Sequence, residues 1–137
     1  MAELTPLVEA WIRYAEDDWQ DSQILAGAGG NRRSVCFHAQ QCIEKLFKAE
    51  LMRLGIAVPK THSLRALSAL LSEADSTWLA NSTSLDRLSL AAVDLRYPDP
   101  GEPEPRMDQA QLLAGALELR EQLLQRLLNT DEQEARH

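Results

Sequence analysis

The 137-residue chain has little of what most catalytic and secreted proteins rely on: two cysteines, three histidines and seven aromatic residues. Cys36 and Cys42 lie six residues apart on one predicted helix, about 9 Å along its axis and pointing in different directions. A disulfide between them is excluded, and both are expected as core thiols. The histidines are His38, His62 and the terminal His137. They form no Ser-His-Asp, Cys-His or zinc-binding pattern, so neither a metal nor a cofactor is expected. Six glycines leave room for few turns. The one cluster, Gly27-Ala28-Gly29-Gly30, follows a helix instead of a strand and lacks the Lys-Ser/Thr ending of a nucleotide loop. No stretch approaches the ~20 apolar residues that span a bilayer, and the acidic, proline-bearing N-terminus has no signal-peptide pattern. A cytoplasmic protein with no membrane partner is expected.

What is present suits helices: 45% of residues are hydrophobic, with leucine and alanine prominent. This length is one ordinary domain, residues 1–137, with a packed body at about 5–128 and a charged tail over 129–137. The net charge of −7 argues against a protein that coats nucleic acid. Between Asn31 and Ala66, however, seven basic residues face only Glu44 and Glu50, a local +5 on a body of −12. Two readings stand: a localised anion site, or ordinary scatter over solvated faces.

Five helices are predicted. The first runs from Pro6, with Thr5 as cap, to Ala26. Val8, Trp11, Ile12, Ala15, Trp19, Ser22 and Leu25 form its inner face, and Glu16, Asp17, Asp18 and Asp21 read as a solvated acidic surface. The second runs from the Asn31 cap to Leu54, where Gly55 closes it. The third is short, Leu64 to Ala74. Ser84 reads as the cap of the fourth, which Pro98 stops. The fifth runs from Met107 to Leu128 with Leu113, Leu117, Leu124 and Leu128 as its main stripe. The fold class is therefore all-α, an up-and-down helical bundle of three long helices and two shorter ones.

The second helix is the most informative element. At 3.6 residues per turn its apolar flanks are Val35, Ala39, Cys42, Leu46 and Ala49 on one side, and Cys36, Ile43, Phe47, Leu51 and Leu54 on the other. Between them runs a polar ridge of His38, Gln41, Glu44, Lys45 and Lys48. A helix apolar on two sides is central in a bundle, so this ridge faces a cleft, a partner or solvent.

Two further positions carry chemistry or structure with equal economy. His62 in Thr61-His62-Ser63-Leu64 either hydrogen-bonds a phosphate or shuttles a proton, or fills a turn capped by Thr61 or Ser63. Arg96, before Tyr97-Pro98, either meets the negative end of a helix dipole or presents its planar fork to phosphate from a proline-rich loop.

Trp11-x-x-x-Ala15-x-x-Asp18, Phe37-His38-Ala39-Gln40-Gln41-x-x-Glu44-Lys45-x-x-Lys48-Ala49, Thr61-His62-Ser63-Leu64 and Arg96-Tyr97-Pro98-Asp99 occur in this order over residues 11–99. Together they resemble the HEPN domain, the higher-eukaryote and prokaryote nucleotide-binding fold, in its small prokaryotic branch. The resemblance implies a helical bundle that forms a homodimer and works beside a minimal nucleotidyltransferase, in some cases as a toxin–antitoxin pair. Many members are metal-independent ribonucleases with Arg followed four to six residues later by His. Here Arg96 is followed by Tyr97, Pro98, Asp99, Pro100, Gly101 and Glu102, so that pair is incomplete. Arg33 and His38 fit the spacing literally, at the entry to the second helix, where the match reads as accidental.

Three functions follow from this resemblance. The first is a non-catalytic or weakly catalytic module that binds RNA, a nucleotide or a nucleotidyltransferase. In it Arg96 contacts phosphate, Lys45 and Lys48 supply positive potential, and Glu44 orients Arg96 or Lys48. Tyr97 stacks a base or serves as a modifiable hydroxyl. The second is a metal-independent endoribonuclease toxin in which His62 or His38 supplies the imidazole. The third is a structural homodimer whose ridge specifies pairing.

Overall fold

The computed structural model describes residues 4–80, 82–94 and 108–129. Five helices are found there and no strand: α1 (Pro6–Gly27), α2 (Arg32–Arg53), α3 (Leu64–Ala74), α4 (Ser82–Asp94) and α5 (Gln109–Leu128). Among the described residues no helix is long and apolar enough to cross a membrane.

Local chemistry sets the helix ends. The side chains of Thr5, Asn31 and Ser63 accept from the backbone N–H three residues on, at Val8, Ser34 and Ala66. Each satisfies an otherwise orphaned donor of the first turn. Two α-helix ends close in the same way. Gly55 takes φ +75°, its N–H donates to the Met52 carbonyl, and Ile56 N–H reaches back to Leu51. Gly29, at φ +73°, and Gly30 repeat the pattern onto Ala26 and Leu25. This is the six-to-one, five-to-two closure that favours glycine in the left-handed region.

α2 is the hub. Helices α1, α3, α4 and α5 all pack on it, α3 also meets α4, and α4 meets α5. Both expected flanks are buried: Val35, Ala39, Cys42, Leu46 and Ala49 on one side, Cys36, Ile43, Phe47 and Leu51 on the other. Leu54 is the exception. It is the C-cap and stands 38% exposed, because the chain turns away at Gly55 before its side chain reaches the core.

Three expectations are corrected. α4 begins at Ser82, so Ser84 lies inside the helix instead of capping it. Three consecutive hydroxyl residues, Ser82-Thr83-Ser84, all suit a cap. Burial separates Ser84 from a capping role, since it packs so close to Gly115 that a Cβ there would lie 2.6 Å from its Oγ. α5 is capped by Asp108, whose carboxylate accepts from Ala110 and Gln111, and starts at Gln109. Its buried face is Leu112, Gly115, Ala116, Leu119, Leu123 and Leu127. Leu113 and Leu124 are only partly buried, and Leu117 and Leu128 are exposed. Leucine pairs at 112–113, 123–124 and 127–128 fit two phases, and the close approach of Gly115 to α4 selects this one. The expected stop at Pro98 lies outside the described residues.

The acidic face of α1 is also not uniformly solvated. Asp17 and Asp21 are exposed, but Asp18 is buried and Glu16 is half-buried. Arg120 of α5 reaches Glu16 with two bonds of 2.7 and 2.8 Å and lies over the Trp19 ring. At the far end of the bundle Glu50 is fully buried. It is held by Arg53 and Arg126, and Arg126 also donates to Asp75 at 2.8 Å while stacking over Trp78.

Candidate functional site

The polar ridge of α2 resolves into two assemblies of one design, each a buried carboxylate shared by a histidine and a lysine. In the first, Glu44 is only 4% exposed. It accepts from Lys48 Nζ, one helical turn on, at 3.1 Å and from Gln40 Nε2, one turn back, at 3.2 Å. His62 Nδ1 lies 3.0 and 3.2 Å from its two oxygens. An ionised carboxylate only accepts, so against one Nδ1 carries the hydrogen, and in the neutral ring Nε2 then keeps its lone pair. The imidazole is 73% exposed. A pinned ring with a free lone pair can accept a proton or, once protonated, donate to an anion.

The backbone around His62 is equally fixed. Thr61 Oγ1 accepts from Ser63 N–H at 3.1 Å, and Ser63 caps α3. The cap expected from Thr61 or Ser63 is made by Ser63, and the ring of His62 is turned to Glu44. Gln40 Nε2 lies 3.4 Å from the His62 carbonyl, tying the turn to α2.

In the second assembly Asp18, on α1, takes His38 Nδ1 at 2.9 Å and the ammonium of Lys45 on its other oxygen. The Phe37 and His38 rings meet in a T-shaped contact. Asp21 adds its carboxylate, and one ligand atom each from Asp18, Asp21 and His38 lie within 4.8 Å of one another. The Lys45 ammonium already supplies the countercharge there.

The expected site residues are thus divided. Glu44, Lys48 and His62 converge; Lys45 belongs to the Asp18 assembly instead. Both lysines sit on carboxylates, so the ridge is far less cationic than its lysine count suggests. Gln41 lies on the same face, half-exposed, with no hydrogen-bonding partner among the described residues. Arg96 and Tyr97 lie outside the described residues. The residues not foreseen as partners are Gln40 and Asp18. Gln40, four residues before Glu44 and bracketed by apolar positions, carried a signal, the i,i+4 amide–carboxylate spacing. Nothing local links Asp18 to His38.

The family model of the HEPN domain matches residues 8–130, nearly the whole chain. The chain belongs to the HEPN family. Comparison of this HEPN protein with curated proteins and with solved structures gave no match. The all-helical bundle agrees with the HEPN fold, and the matched span contains both carboxylate assemblies.

Proposed function

We propose that this HEPN protein is a non-catalytic or weakly catalytic module that binds a phosphate-bearing ligand, RNA or a nucleotide, through His62. One observation carries the reading: the buried Glu44 carboxylate holds Nδ1 of a ring that is itself largely exposed, leaving Nε2 as the ring nitrogen that can meet a ligand. Lys48 balances Glu44, and protonation of His62 therefore turns a neutral group into a cation where a phosphate can meet it. Arg96 adds the second phosphate contact and Tyr97 a stacking face or a modifiable hydroxyl. A minimal nucleotidyltransferase in a toxin–antitoxin-type pair, and a second copy of the chain, are the protein partners of this reading.

The test is fluorescence anisotropy with labelled single-stranded RNA and with a labelled nucleotide, both in EDTA. His62→Ala should weaken binding about tenfold or more, the scale of one charge-assisted hydrogen bond. Unchanged affinity would remove the reading. The exposed ring of His62 also suits one alternative, a metal-independent endoribonuclease with His62 as base, in which Arg96 would hold phosphate. Cleavage in EDTA that disappears in both His62→Ala and Arg96→Ala would establish it in place of the first.

A further inference from the structure

We propose that Gln40 is the positioning residue of the His62 site, a role that deepens the reading above and rests on it. Gln40 is 1% exposed and lies on α2, facing the turn that precedes α3. Its amide nitrogen carries two hydrogens. The nitrogen lies 3.2 Å from Glu44 Oε1 and 3.4 Å from the His62 backbone carbonyl oxygen, so it has a hydrogen for each. A single buried side chain therefore holds both the carboxylate that grips the imidazole and the backbone from which the imidazole hangs.

The chemistry of the position is restrictive. Glu44 has two donors competing for it besides Gln40: Lys48, on its own helix, and His62, on a separate segment. Without Gln40 the carboxylate is free to swing onto the ammonium, and the His62 turn loses its bond to α2. An apolar side chain of similar length fills the space but supplies neither donor. Glutamate has the same shape and reverses both interactions, setting an acceptor against Glu44 and against the His62 carbonyl. Neither change touches the surface at which a ligand would arrive.

The deciding measurement needs no ligand. Long-range proton–nitrogen correlation spectra of the histidines report which ring nitrogen is protonated. Wild-type His62 should show the Nδ1–H tautomer, and Gln40→Met should lose that preference while His38, held by Asp18, keeps its own. Gln40→Leu provides the same readout should the methionine variant fail to fold. In the wild type the Gln40 side-chain amide hydrogens should exchange slowly with solvent. Affinity for labelled single-stranded RNA should fall about fivefold or more in Gln40→Met, roughly the scale of one hydrogen bond, as His62 loses its fixed orientation. An unchanged His62 tautomer in a folded Gln40 variant, or fast exchange of the wild-type amide, would overturn the assignment. If His62→Ala binds RNA as the wild type does while the Gln40 variants lose the tautomer, the ligand reading fails and the positioning role stands.

Discussion

Cys42 shows how completely one side chain can be withdrawn from chemistry. Burial pushes its thiol well above the ordinary cysteine range, with Glu16 adding to the effect and Arg120 opposing it. Burial also raises Cys36, against the pull of Arg32. The thiolate is the reactive form, so at about pH 8 an aromatic disulfide reagent should label neither cysteine in the folded protein and both in guanidinium chloride. Fast labelling of native protein would mean that this end of α2 opens readily. Arg126 has the opposite character, since it is irreplaceable by its contacts. It bridges Glu50, which has no exposed surface, to Asp75. Arg126→Ala leaves that carboxylate with Arg53 alone, and chemical denaturation should show a loss of ~3 kcal/mol, the low end for breaking a buried pair. Asp75 itself is held well below the usual carboxylate range, first by the Thr77 hydroxyl and then by Arg126. A carboxylate depressed in the folded state contributes stability above its unfolded value, about 3.9, and loses it as pH falls. Thermal melts below about pH 4 should fall less steeply for Asp75→Asn than for the wild type.

At the scale of the elements, α2 ends because Gly55 adopts a backbone that other residues resist. Gly55→Ala has open space around its Cβ, so its cost is conformational alone, about 1 kcal/mol in denaturant titrations. A larger loss would point to packing that the open space around the glycine does not account for. Much of the architecture was legible in the sequence for this kind of reason. Thr5, Asn31 and Ser63 precede apolar periodic runs, and glycines stand at the ends of α1 and α2; those signals are local and survive folding. The phase of α5 was not legible, because paired leucines satisfy two faces equally and only the approach of Gly115 to Ser84 separates them. The site was half legible. Glu44, Lys48 and Gln40 share one helix at fixed spacing, whereas His62 with Glu44 and His38 with Asp18 join residues 18 and 20 positions apart. No periodicity within a helix announces such a pair.

Taken as a whole molecule, the protein is an acidic body, of net charge −7, with its lysines on the α2 ridge already matched to carboxylates. A nucleic-acid ligand held here is held at a point and not along a track. Single-stranded binding loses about 0.7 of a logarithmic unit of affinity per phosphate contact for each tenfold rise in salt. With His62 and Arg96 as the contacts, the slope should be roughly −1 to −2. A slope steeper than about −4 would require a basic surface that this charge balance does not provide.

The central helix also sets what the chain can tolerate by insertion. His38 addresses α1, Gln40 and Glu44 the turn before α3, and Glu50 α5, each from a fixed angle about one axis. Adding or deleting one residue midway would swing everything beyond it by about 100°. Both imidazole clamps could not then stay aligned with the Glu50 junction. Between Arg32 and Arg53 the number of residues is therefore a tighter constraint than the identity of most of them.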